Sequence, residues 1–271
     1  MSADAARYKI FLSEAARTLH DEVTLASPDS NSSLDLTAFV SCYNEASLIL
    51  QSLEDIRMAL RESGASFEII VIDDCSRDDS TEKVRGYIAE HPDDRIILRS
   101  NLVNQGLAQN YIDGAFLGKG RYYKLFCGDN TEPPETFIQI CKLMGKADII
   151  IPHYSTVEGK SRFRKSLSNA FTKLVNLVSG NDLNYYNGLA IHLRYNIMRW
   201  HPNTRGFGFQ ADIICMLLDQ GASHLEVAVP AINRAESRAL TWKNVLSVLH
   251  TLIDIFIRRG AGYVYGTSKS R

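Results

Sequence analysis

The segment Phe67-Glu68-Ile69-Ile70-Val71-Ile72 constrains the fold more than any other. It is short, β-branched and almost wholly apolar, which is the pattern of a buried strand. A strand with no side to show water needs helices above and below it, the condition of a mainly parallel sheet. The rest of the chain supplies such elements in alternation. Leu36 to Val40 reads as a first strand, and the helix after it carries Ile49, Leu53, Ile56 and Leu60 on one face. Further strands are expected at Arg95 to Leu98, at Tyr123 to Phe126, at Ala147 to Ile151 (stopped by Pro152) and at Leu225 to Val229. Helices are expected around Val84 and Ile88, from Leu107 to Phe116, from Ser161 to Val178, and from Gln210 to Leu218. The third of these is ended by Gly180. The expected class is α/β: one domain with a mainly parallel central sheet covered by helices on both faces.

A chain of 271 residues can bury one large core of this kind. The expected divisions are 1–33, 34–232 and 233–271. The first holds an amphipathic helix with Phe11, Leu12, Ala15, Leu19 and Val23, then a polar linker from Pro28 to Ser33. The last holds a helix with Val245, Leu246, Leu249, Leu252, Ile253, Phe256 and Ile257, preceded by Lys243 and followed by Arg258-Arg259. Two settings suit that helix: packed on the domain, or lying in a membrane interface. No stretch reaches the roughly 20 apolar residues that span a bilayer. The acids near the start argue against a signal peptide. The formal net charge of -1 gives no electrostatic case for nucleic acid. The five cysteines are odd in number and form no C-x-x-C pair, so they are read as reduced thiols of a cytoplasmic protein.

The chemistry is concentrated where strands end. Asp129 follows the strand that closes at Phe126, and Pro133-Pro134-Glu135 then opens a helix. An acid at the C-terminal edge of an α/β sheet lies where such folds bind ligands. A carboxylate in a loop rich in oxygen donors suits a hard cation that also takes phosphate oxygens. The same residue would serve equally as a turn acid capping the next helix. Asp73 and Asp74 repel each other unless a cation or hydrogen-bond donors offset the charge. Asp78 to Thr81 read as helix caps. His192, His201 and His224 lack ligand spacing and are expected to be structural or surface residues. No G-x-G-x-x-G follows the first strand, which argues against a dinucleotide-dependent dehydrogenase.

Four motifs in order carry a family resemblance. They are Ser41-Cys42-Tyr43-Asn44-Glu45, Val71-Ile72-Asp73-Asp74-Cys75-Ser76-Arg77-Asp78, Asn104-Gln105-Gly106-Leu107, and Cys127-Gly128-Asp129 with Pro133-Pro134-Glu135. From about Leu36 to about Ile257 the chain resembles glycosyltransferase family 2 enzymes of the GT-A fold. Within them it is most similar to dolichol-phosphate mannose synthase and its bacterial polyprenyl-phosphate relatives. The resemblance implies a GDP- or UDP-sugar donor held by Ser41, Tyr43, Asn44, Glu45, Asp73, Asp74, Asn104, Gly106 and Gly128. It implies Mg2+ or Mn2+ on Asp129 and Thr131, and Asp129 and Asp212 as the catalytic acids. Arg162, Arg234, Ser237 and Arg238 would hold the acceptor phosphate. Asn184 to Gly188 would lie on the acceptor side, and the loop after Trp200 would act as a lid. The implied reaction is inverting transfer of a sugar to a polyprenyl phosphate by a protein peripheral to the cytoplasmic face of a membrane. A separate membrane subunit or a homo-oligomer is left open. The other implied readings are transfer to a hydroxyl with Asp212 as base, and a non-catalytic nucleotide-sugar-binding subunit. The chain departs from the family at Cys127, which stands where the first acid of the metal motif belongs. A thiol is a poor ligand for a hard cation, so weaker or rearranged metal binding is expected.

Overall fold

The structure, a computed structural model, describes residues 24–25, 34–154, 162–201, 208–229 and 242–265. The strands are β1 (Thr24–Leu25), β2 (Leu36–Cys42), β3 (Phe67–Asp73), β4 (Ile96–Ser100), β5 (Tyr122–Cys127), β6 (Ile149–Tyr154), β7 (Ile191–Leu193) and β8 (His224–Val229). The helices are α1 (Ile49–Ser63), α2 (Ser80–Glu90), α3 (Leu107–Leu117), α4 (Pro134–Cys141), α5 (Arg162–Ser179), α6 (Arg194–Met198), α7 (Phe209–Asp219) and α8 (Trp242–Val264). Among the described residues, one eight-stranded sheet runs in the order β1-β4-β3-β2-β5-β7-β6-β8. The four central strands β4, β3, β2 and β5 are parallel, and β6 is parallel to β8. Their register is in step: Cys42 lies opposite Asp73, and Ser41 opposite Cys127. The loops that follow β2, β3 and β5 therefore open at one edge of the sheet.

The pleat sends alternate residues of each strand to opposite faces. Ala38, Val40, Ile69 and Val71 pack with Ile49, Leu53, Ile56 and Leu60 of α1. Phe39, Ile70, Ile72 and Tyr123 pack with Tyr111, Trp200, Phe209, Leu252 and Ile255 on the other face. This is the sheet covered on both sides that the apolar strands demand.

Three features differ from expectation. Strand β7 is only three residues long and antiparallel between β5 and β6, too short to leave a periodic signal. Pro152 lies inside β6, opposite Val227, rather than ending it. A Cβ built on Gly188 would lie 2.1 Å from the Pro152 carbonyl oxygen, so that carbonyl and the proline nitrogen face the β7 side. There the β6–β7 ladder has already ended at Ile150, and no donor is lost. Finally, α8 packs on the domain along one side only. Thr251, Leu252 and Ile255 are buried against the domain, while Leu249, Ile253, Phe256 and Ile257 are exposed. The expected helix over 8–23 and the linker after it lie outside the described residues.

Candidate functional site

The site forms at the C-terminal ends of β2, β3 and β5, where the three loops are tied to one another. Asn44 donates its backbone N–H to Ser76 Oγ (2.8 Å) and accepts from the Arg77 N–H through Oδ1 (2.8 Å). Glu45 N–H donates to Ser80 Oγ (2.9 Å), and Ala46 N–H to Asp78 Oδ2 (3.1 Å). Asn44 takes a left-handed φ of 57°, a conformation that asparagine tolerates better than most residues. Asp78 also accepts from Ser80 N–H (3.1 Å), and its carboxyl is held below the usual range, first by the Ser80 hydroxyl. Asp78 thus satisfies the first N–H of α2, and Asp78 and Ser80 together brace the neighbouring loop. Asp79, at the cap position itself, makes no side-chain cap bond.

The adjacent acids Asp73 and Asp74 are both buried but differ in kind. Asp74 is offset by donors. Its Oδ1 accepts from Gln105 N–H (2.8 Å) and Asn101 Nδ2 (2.9 Å), and its Oδ2 from Gly106 N–H (2.9 Å). Its carbonyl accepts from Asn104 Nδ2 at 3.2 Å. Asp74 is therefore the anchor of the loop that leads into α3. Asn104 and Gly106, expected on the donor, here serve that anchor. Asp73 accepts from Ser76 N–H through Oδ2 (3.2 Å), and its buried Oδ1 has no hydrogen-bond partner among the described residues. The neighbouring Cys42 thiol is pushed up to about 12, first by burial and then by the Asp73 charge.

Beside these loops runs the turn Cys127 to Pro133. Gly128 donates its N–H to the Ser41 carbonyl (3.0 Å). A Cβ there would lie 2.7 Å from that same oxygen, so only glycine fits. Asn130, at φ 50°, donates Nδ2 to Asp55 Oδ2 of α1 (2.8 Å). Ser52 Oγ donates to the Cys127 carbonyl at 3.0 Å. Half-buried Asp129 accepts from the Thr131 hydroxyl (2.9 Å). The Glu45 carboxyl is held above its ordinary range by burial, then by the charges of Asp129 and Asp78. Glu45 and Asp129 thus repel across the mouth of the site. Among the described residues, no group of three or more His, Cys, Asp or Glu side chains forms a ready cation site. The donors that are present, Asp129, Glu45 and the Thr131 hydroxyl, are hard oxygens of the type that Mg2+ or Mn2+ takes. Cys127 instead packs partly buried against the apolar core. Tyr43 stands exposed at the rim.

The expected acceptor residues fare differently. Arg162 opens α5, but its side chain, like all of Arg234, Ser237 and Arg238, lies outside what the structure describes. The loop 202–207 does as well. Asp212 is buried on α7 and engaged at both oxygens, by Trp200 Nε1 (2.7 Å) and Arg258 Nη1 (2.5 Å). Arg259 lies 3.7 Å from Asp219 and against Gly180, which ends α5 at φ 64°. The two arginines expected to flank a membrane-facing helix therefore turn toward the protein. His192 is buried in the core, and burial depresses it to about 4. Sequence reasoning missed the buried pair of Lys124 and Glu132 (2.8 Å) under the Asp129 turn. The signal was present: a lone lysine in an apolar strand needs a buried acid.

Residues 37–208, more than half of the chain, match the family model described as "Glycosyl transferase family 2". The chain belongs to that family. Among curated proteins it is 29% identical over 114 residues to "Succinoglycan biosynthesis protein ExoO" of Rhizobium meliloti (strain 1021). That match covers 42% of this chain and 30% of the relative. It is 28% identical over 118 residues to "Dolichyl-phosphate beta-glucosyltransferase" of Dictyostelium discoideum, covering 42% and 36%. The aligned region spans about a third of the length of each of these relatives. Among solved structures, the mannosyltransferase PcManGT from Pyrobaculum calidifontis in complex with GDP-Man and Mn2+ superposes with a TM-score of 0.59 at 17% identity. It covers 94% of this chain and 74% of that one. Glucosyl-3-phosphoglycerate synthase from Mycobacterium tuberculosis, with Mn2+, UDP and phosphoglyceric acid, gives 0.62 at 16% identity, covering 82% and 78%. The fold is GT-A.

Proposed function

We propose that the protein is an inverting glycosyltransferase that moves a sugar from a GDP- or UDP-sugar to a polyprenyl phosphate at the cytoplasmic face of a membrane. Asp73, with its unpartnered buried oxygen, receives a donor N–H of the nucleotide, and Tyr43, Asn44 and Glu45 line the rim above it. Asp129, Glu45 and Thr131 are the residues that would hold Mg2+ or Mn2+, and the bound ion would supply charge stabilisation to the leaving nucleoside diphosphate. Of the solved neighbours, the mannosyltransferase is in complex with GDP-Man and Mn2+ and the synthase with UDP and Mn2+, and the Dictyostelium relative is a dolichyl-phosphate glucosyltransferase.

One observation carries the choice of acceptor. Asp212, the acid that a hydroxyl acceptor would use as base, faces Trp200 and Arg258 with both oxygens. A phosphate is already ionised and needs no base, only cations to hold it; Arg162, Arg234 and Arg238 are assigned that role. The acceptor oxygen attacks the anomeric carbon, its bond to the diphosphate breaks, and the nucleoside diphosphate leaves. No helix of the described residues is long and apolar enough to cross a membrane. The exposed side of α8 instead lies against the lipid surface.

The test is a matrix of UDP- and GDP-sugars with Mn2+, assayed against a polyprenyl phosphate in liposomes and against glycan hydroxyls. Transfer to the lipid phosphate, lowered about tenfold or more in Arg238→Ala, is the expected result. Paired substitution of Ile253 and Phe256 by Asn should release the protein from liposomes. Transfer to a hydroxyl, abolished in Asp212→Asn, would replace this reading.

A further inference from the structure

We infer that Lys124, through Glu132, is a positioning residue that sets the Asp129 turn. The inference rests on Asp129 and Thr131 holding the cation. Lys124 is fully buried in β5, and its ammonium donates to Glu132 Oε2 (2.8 Å), the Leu189 carbonyl (3.1 Å) and the Leu125 carbonyl (3.2 Å). All three of its N–H donors are thus used. It also lies over the rings of Phe126 (4.5 Å to the centroid) and Phe137 (5.5 Å), so apolar walls close the remaining sides.

The position of the pair in the chain gives it its role. Lys124 sits three residues before Cys127, and Glu132 sits three after Asp129 and directly after Thr131. The turn leaves the sheet at Cys127 and is drawn back down at Glu132 onto the same strand. Its upper part is held by Ser52 and by Asp55. The third contact, to Leu189, ties the turn to the segment after Asn184 to Gly188, on the side assigned to the acceptor. One ammonium therefore joins the strand, the metal turn and the acceptor-side segment.

A buried ion pair is a poor device for stability alone. An apolar pair of similar volume is often as stable or more so, because neither charge has to leave water. The pair does supply directionality. A carboxylate held by an ammonium has one place to be, and a turn fixed within fractions of an ångström presents its ligands at the correct spacing. Removing both charges therefore separates the two roles.

The experiment compares wild type, Lys124→Met/Glu132→Met and Asp129→Asn. Thermal melting reports the fold, and calorimetry with Mn2+ plus UDP, or Mn2+ plus GDP, reports the site. The double variant is expected to melt at or above the wild-type temperature while binding the Mn2+–nucleotide pair at least tenfold more weakly. Hydrogen exchange across residues 128–132 should quicken. Wild-type affinity in a folded double variant overturns the inference. Should that variant not fold, Glu132→Ala decides: exchange across 128–132 as slow as in the wild type overturns it, and faster exchange supports it. Loss of Mn2+ binding in Asp129→Asn beside full binding in the double variant defeats the positioning role alone. Full binding in Asp129→Asn defeats the metal assignment on which it rests.

Discussion

Asp73 and Asp74 are neighbours of identical chemistry, and the structure predicts opposite consequences for changing each to asparagine. Asp74 accepts three N–H donors on its two carboxylate oxygens. In Asp74→Asn one oxygen becomes an NH2 that faces a donor, so at least one charge-assisted bond is lost. Such a bond is worth about 1.5–3 kcal/mol, and the unsatisfied donor adds to the loss, so a cost of about 2–4 kcal/mol is expected. For a chain of this size that is a fall in melting temperature of about 4–7 °C. Asp73→Asn keeps an oxygen for Ser76 N–H but turns its NH2 toward the place of the unpartnered oxygen. Its melting temperature should stay within about 2 °C of wild type. Its affinity for the nucleotide should fall about ten- to a hundredfold, the equivalent of one charged hydrogen bond. Differential scanning calorimetry reads the first quantity, and titration with UDP or GDP in the presence of Mn2+ reads the second. Equal melting temperatures in the two variants, or an undiminished affinity in Asp73→Asn, would refute the division of labour between an anchoring and a binding acid.

Three further outcomes are expected. Asp129→Asn abolishes Mn2+-dependent turnover without loss of fold, as read by activity and circular dichroism. Cys127→Asp adds a hard oxygen to the turn and lowers the Mn2+ concentration for half-maximal activity; an unchanged requirement counts against the thiol as the weak point. His192 titrates near 6.5 when unfolded and at about 4 when folded. Between those values the unfolded chain binds a proton that the folded one does not, so stability falls as pH drops through that window. From pH 7 to pH 5 this loss is about 2 kcal/mol, and urea titrations should show it shrinking in His192→Gln.

The central sheet was legible because burial on both faces writes itself as unbroken apolar runs at Phe67 to Ile72 and Leu36 to Val40. The candidate site was suggested by its acids, whose charge at strand ends is expensive without a purpose. The sequence could not say which acid braces the loop and which keeps an unpartnered oxygen. Asp73 and Asp74 look alike until the loop from Asn101 to Gly106 folds over one of them. Strand β7 escaped because three residues cannot show a period, and Pro152 misled because its cost depends on whether a partner strand is there to need the N–H. Arg258 read as a membrane-facing charge because its partner, Asp212, lies 46 residues earlier.

The burial of Leu252 and Ile255 of α8 has a consequence for how the protein is made. The core cluster on one face of the sheet takes members from both Phe39 and Ile255. An emerging nascent chain can assemble β2 to β5 early, since those strands are close in sequence, but that face stays open until α8 has been synthesised. Until then Trp200, Phe209 and Tyr111 belong to an unfinished surface, exposed to chaperones and proteases. A released chain truncated before residue 250 should be protease-sensitive, and the chain that retains α8 resistant.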